Sequence, residues 1–134
     1  MHVNYTTSKP KYEYLNLEDK LIFFDKLIKE REKGLSFPKI AKPIGVNEVR
    51  IRKEYANAIK IESWKKSDLW NLLYRFTKTY PASYAVRLYG YLLTNDISTI
   101  KKFQNTSLDD IFSIKGIGVK YQETIAQMKN YIKD

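Results

Sequence analysis

Apolar residues along this chain recur at intervals of three and four. Leu17, Leu21, Phe24, Leu27 and Ile28 make one stripe on a helix, and Gly34 supplies its stop. Ser36 is placed to cap a short second helix with Pro38 in its first turn, where a missing N–H is tolerated. Gly45 ends that helix. Asn47 caps a third, which begins near Glu48 and runs toward Ile59 or Lys60. Leu69, Trp70, Leu73, Phe76 and Thr77 mark a further helix starting at Ser63 or Ser67. Pro81 interrupts it, because the residue before a proline is pushed away from helical angles. Short helices follow at about 83–93, 98–103, 107–113 and 119–132. No alternating strand pattern competes, so the expected fold class is all-α.

This pattern divides the chain into three parts. Residues 1–16, polar with interspersed tyrosines and one proline, read as a flexible leader. Residues 17–80 form one helical domain and residues 81–134 a second, with Tyr80-Pro81 as the expected boundary.

Composition narrows the partners. With 134 residues, 43% of them hydrophobic and 14% aromatic, a packed core is expected. Lysine and arginine number 24 against 15 acidic residues, for a formal charge of +9. Such an excess favours an anionic partner, nucleic acid or a membrane surface. No basic tail accounts for it, since residues 1–61 carry 13 basic and 8 acidic side chains and residues 62–134 carry 11 and 7. The absence of cysteine excludes disulfides and thiolate zinc sites, and His2 is the single histidine. No apolar run approaches the ~20 residues that span a bilayer, and no secretion-signal pattern opens the chain. A soluble, cytoplasmic protein without metal or cofactor is expected.

Two constellations carry candidate chemistry. In "FPKIAKPIGVNEVRIRKEYANAI", Ala41, Gly45 and Ile51 stand where two crossing helices need a small contact residue, a turn residue with positive φ and an apolar anchor. Ile40, Ile44 and Val46 are the expected core neighbours. The pattern resembles the bacterial helix-turn-helix family. Two positions depart from it: Pro43 near the end of the first helix, and Glu54 where an apolar residue is usual. The resemblance implies that the helix from Glu48 lies in the DNA major groove, presenting Glu48, Arg50, Arg52 and Lys53 outward. A pair of ordinary packed helices with a solvated basic face remains the alternative.

The second constellation is "IKGIGVKY", residues 114–121. A nucleotide-binding loop would need a preceding strand, and none is expected. What remains is a helix-hairpin-helix, in which Gly116 and Gly118 let backbone N–H groups approach a phosphate and Lys120 adds charge. From about residue 82 to 132 the chain resembles the C-terminal domain of the bacterial RNA polymerase α subunit. Val86-Arg87, Ile97 and Ile100, Ile111-Phe112, and Gly118 with Lys120 carry the likeness. The resemblance implies that Arg87 enters an A+T-rich minor groove while Gly118 and Lys120 hold the flanking phosphate. Gly90 replaces an asparagine of that family, and Tyr121 replaces a serine, its hydroxyl standing either for a DNA contact or for packing. A helical unit used for protein contact stays open.

Other features weigh less. Asp109, Asp110 and Glu123 suggest a nuclease metal site, but helix-start carboxylates usually serve the helix dipole and no histidine completes a site. Trp64, Trp70, Tyr74 and Phe76 at helical spacing read as core rather than as a stacking platform for single strands.

The sequence therefore leads to an expectation: a non-enzymatic, sequence-specific double-stranded-DNA-binding protein acting in transcription regulation. Its helix-turn-helix domain would read the major groove and its compact C-terminal helix-hairpin-helix domain an A+T-rich minor groove, two weak readers gaining by effective concentration. The alternative is a protein-interaction module contacting RNA polymerase or a recombination complex. Homodimerisation stays open.

Overall fold

The structure, a computed structural model, describes residues 15–133; of the expected leader, residues 1–14 with His2 lie outside the described residues. Eight helices and no strand occupy the described residues: α1 Leu17–Glu32, α2 Phe37–Ile44, α3 Glu48–Trp64, α4 Asp68–Thr77, α5 Ala82–Thr94, α6 Ile100–Asn105, α7 Leu108–Phe112 and α8 Val119–Tyr131. The fold is all-α.

Local chemistry accounts for most of the boundaries. The side chains of Asn16, Ser36, Asn47, Ser67, Thr99 and Ser107 each accept a hydrogen bond from the backbone N–H three residues on, satisfying a donor that the helix itself leaves open. At the other end of α2, Gly45 adopts φ 80°, and its N–H returns to the carbonyls of Ala41 and Lys42. Lys129 of α8 closes α6, its ammonium donating to the carbonyls of Phe103 and Gln104 at 2.6 and 3.3 Å. A cation at a helix C-terminus also meets the negative end of the helix dipole.

α3 runs on to Trp64, beyond the expected stop at Ile59 or Lys60. Ala58, Ile61 and Trp64 continue its buried stripe at intervals of three, so packing carries the helix past the polar residues between them. Trp64, Trp70 and Tyr89 then meet one another, with ring centroids 4.8–5.2 Å apart. These aromatics are core, and Tyr89 donates its hydroxyl hydrogen bond to Ser67 Oγ at 2.8 Å.

The apolar core does not part at Tyr80-Pro81, the boundary expected from sequence. One buried cluster takes in Leu17 and Phe24 of α1, Leu69 and Leu73 of α4, Leu88 of α5 and Ile125 of α8. Pro81 does end α4's run, but α4 packs against α5, α6 and α8, and α1 packs against α5. The backbone ties the same seam. The N–H groups of Leu17 and Glu18 donate to the carbonyls of Tyr80 and Lys78 at 2.9 and 3.0 Å, and the N–H of Ala82 donates to Leu15 at 3.3 Å. The first turn of α1 is thus satisfied by the α4–α5 turn, so the two stretches hold each other. A smaller cluster of Leu27, Ile40, Ala41 and Ile51 secures α2 against α1 and α3.

Gly90 sits inside α5, where a Cβ would meet nothing within 4 Å. Neither space nor backbone angle calls for glycine there, so Gly90→Ala is expected to raise stability by about 0.5–1 kcal/mol, measured by urea unfolding. Among the described residues, no helix is long and apolar enough to cross a membrane.

Candidate nucleic-acid interface

α2 packs against α3. Ala41 and Ile51 are buried at the contact, and the left-handed Gly45 turns the chain between them. Ile40 is buried with them and Val46 is half-buried, but Ile44, expected in the core, is 38% exposed. It is the last residue of α2, and the small α2 cluster has closed before reaching it. Glu54, at the position where an apolar residue was expected, is buried. Lys20 of α1 lies 3.5 Å from its carboxylate, and the same ammonium sits 5.4 Å from the centre of the Phe24 ring. An ion pair replaces a hydrophobic contact between α1 and α3.

Around α3 the cations divide. Arg52 donates from Nε to Glu48 at 2.7 Å, and its guanidinium lies 4.5 Å from the Phe37 ring, which Arg31 also covers at 4.0 Å. Arg52 is exposed and Glu48 half-buried, and their opposite charges offset each other. Arg50 stands two residues away and about 160° around the helix, toward α1 and α5. Lys53 is exposed on the outer face, as is Val49.

Arg50 and Arg87, drawn from separate motifs, line one cleft of about 490 Å³ between α1, α3 and α5. Lys20, Asn57, Lys60 and Ser83 complete its polar lining among the described residues, with Glu54 the one acidic residue among them. Leu17, Phe24, Ile61 and Val86 provide apolar walls. Among the described residues, four cations and one carboxylate line the cleft, so their formal charge is positive.

α5 continues this face to the start of α8. Tyr84 donates its hydroxyl hydrogen bond to the Lys120 carbonyl at 2.7 Å and lies 2.7 Å from Thr124 Oγ1. The Tyr121 ring packs against Tyr84 and Tyr91, with centroids 4.8 and 6.0 Å away. Tyr121 is thus a packing residue, half-buried beside Arg87. Burial raises its hydroxyl pKa, the neighbouring Tyr91 adds to the rise, and the Arg87 charge opposes it.

The two hairpin glycines have different reasons. Gly116 has φ 100°, and a Cβ there would come within 2.6 Å of the Tyr91 ring, so fold geometry demands it. Gly118 has ordinary extended angles and open space around it. No side chain caps the helix it begins, in contrast to six of the other helices among the described residues. Packing gives Gly118 no reason to be glycine; close approach of a ligand to the helix start would. Lys120 is exposed beside it, and Val119 is 71% exposed.

These tyrosines also set a pH dependence. Burial raises the pKa of Tyr84 and Tyr121 above the ordinary 10.0, and burial with the Glu18 carboxylate does the same for Tyr74. Burial works against the charge of Lys65, but hydrogen bonds to Asp25 and Glu62 outweigh it and raise its pKa. In each case the folded state holds its proton more tightly than the unfolded chain. Their stabilisation is therefore complete below about pH 10 and is lost as pH rises through the folded values. Lys129, lowered by burial, acts in the opposite sense. Alkaline unfolding above pH 10 is expected, and Tyr121→Phe should move its midpoint upward in a circular-dichroism titration.

Asp109, Asp110 and Glu123 do not come together as a metal site, and no group of three potential ligands does so among the described residues. Lys20, Asn57 and Lys60 were not singled out from sequence. Their one signal is helical: Asn57 and Lys60 follow Arg50 at seven and ten residues, and Lys20 falls one turn before Phe24. No protein-family model matches the chain, and no curated protein or solved structure matches it. The likenesses to the helix-turn-helix and to the polymerase α-subunit domain therefore rest on the residues themselves.

Proposed function

We propose that this protein binds double-stranded DNA and acts in transcription regulation. The observation that supports this best is the convergence of Arg50 and Arg87 on one positive cleft. On this reading the start of α3 approaches the major groove, with Lys53 and the exposed Val49 outward. Arg87 and the start of α8 approach an A+T-rich minor groove, where a narrow groove concentrates negative potential. Gly118 lets backbone N–H groups close on a phosphate, and Lys120 adds charge.

Fluorescence anisotropy with duplexes that differ only in an A+T tract tests this. Binding is expected to be salt-dependent and tighter to the tract. Gly118→Asp separates binding from folding. An aspartate N-cap serves α8 slightly better than glycine, by a few tenths of a kcal/mol, so the melting temperature should hold or rise. Its negative charge should nevertheless weaken duplex binding roughly tenfold. Unchanged affinity in a folded Gly118→Asp protein would remove α8 from the interface.

The exposed Val119 favours a second reading, in which the α8 start contacts protein. That reading is supported if RNA polymerase is retained by the protein after nuclease treatment and lost with Val119→Asp.

A further inference from the structure

Tyr84, Arg87 and Tyr91 follow one another at three and four residues, so they share one face of α5. Tyr121 of α8 lies across that face, its ring 4.8 Å from Tyr84 and 6.0 Å from Tyr91. Ring contacts set a separation between helices, whereas a hydrogen bond also sets their register. The Tyr84 hydroxyl supplies that register. It has one proton and two neighbours on α8, the Lys120 carbonyl and Thr124 Oγ1, each at 2.7 Å. A carbonyl only accepts, so the Tyr84 proton goes to Lys120 and the buried Thr124 hydroxyl donates to Tyr84. The bond grips the same first turn of α8 that no side chain caps.

We infer that Tyr84 is a positioning residue for DNA: its hydroxyl fixes the first turn of α8 against α5, so that Arg87 in the minor groove and the α8 amides on the flanking phosphate engage one duplex together. The inference rests on the DNA-binding reading above and adds to it the group that couples two of its contacts. Tyr84 acts through Arg87 and the α8 start, its own hydroxyl being committed to Lys120.

The fold has an alternative to this hydroxyl within α8 itself. In Tyr84→Phe, the Thr124 side chain can turn to donate to the Lys120 carbonyl four residues back, a bond open to helical threonines. The buried hydroxyl stays satisfied and the ring still packs on Tyr80 and Tyr121, so the tie between the helices is what is lost.

Anisotropy on two duplexes that differ only in an A+T tract tests this tie, with the melting temperature measured alongside. The ratio of the two affinities is the readout, because a loss of folded protein lowers both and leaves the ratio unchanged. Tyr84→Phe is expected to melt close to the unmutated protein and to lower the ratio roughly twofold to tenfold, as befits one hydrogen bond. Thr124→Val is the control. It removes the neighbouring hydroxyl but keeps the Tyr84 bond to Lys120, so the ratio should hold. An unchanged ratio in Tyr84→Phe, or an equal fall in Thr124→Val, would overturn the positioning role while leaving DNA binding intact. No binding, or no preference for the tract, in the unmutated protein would overturn the reading beneath it and this inference together.

One measurement stands even if Tyr84→Phe misfolds. In the unmutated protein the Tyr84 hydroxyl proton should exchange with deuterium more slowly than that of the exposed Tyr131, read from the isotope shift at the ring carbon bearing the oxygen. The duplex with the tract should slow it further than the duplex without, since binding that needs the bond must in turn strengthen it. Exchange as fast as that of Tyr131, or equal slowing by both duplexes, would overturn the inference.

Discussion

Replacing Arg50 and Arg87 together by glutamine is expected to weaken duplex binding by about 2–4 kcal/mol, roughly thirtyfold to a thousandfold, at moderate salt. A hydrogen bond to a charged group contributes about 1.5–3 kcal/mol, and this pair supplies two of the four cations in the cleft. Both positions are exposed, so the folded state should survive with a nearly unchanged melting temperature. Arg52→Gln is the control. Its guanidinium already donates to Glu48 and lies over Phe37, so its loss should cost duplex affinity several-fold less. The comparison is read by anisotropy in one buffer, because affinities at different salt concentrations are not commensurable.

A second large effect concerns folding. Lys20→Met is expected to destabilise the protein by about 2–3 kcal/mol, because it strands the Glu54 carboxylate among apolar neighbours. A deeply buried pair would cost more; here the cleft admits some water to both groups. The paired variant Lys20→Met with Glu54→Leu should return to the original stability or exceed it, since well-packed apolar groups often replace a buried ion pair without loss. Urea unfolding of the two single variants and the double closes the cycle. If Lys20→Met proves neutral, the contact is a solvated surface pair and the cleft is wetter than described.

The same residues show what a sequence can and cannot reveal. Gly45 between Ala41 and Ile51, and the polar caps Ser36, Asn47, Ser67 and Ser107, declare themselves because capping and turning are local: the residue and its partner stand within a few positions. The end of α3 is less legible. Ser63 looks like the start of a new helix, whereas Trp64 stays in the old one because it must reach Trp70 and Tyr89 in the core. Pro81 is a genuine local break, yet a break in a helix is not a gap in a core. Only long-range packing of α4 on α5 and α8 distinguishes the two.

The candidate site was legible to a similar degree. Arg50 and Arg87 stood out through separate motifs, but nothing in a linear chain places positions 37 residues apart in the lining of one cleft. Gly116 and Gly118 looked alike in sequence. They part company only once Tyr91 is seen to occupy the space beside one of them.

Backbone amide mapping by nuclear magnetic resonance, with an A+T-containing duplex titrated into the whole chain, tests most directly whether α3, α5 and α8 present one DNA-binding face. Shifts are expected at Arg50, Lys53, Arg87, Gly118 and Lys120, saturating together, while the separate cleft lined by Leu108 and Asn130 stays still. Shifts confined to that separate cleft, or to α3 or α8 alone, would contradict it.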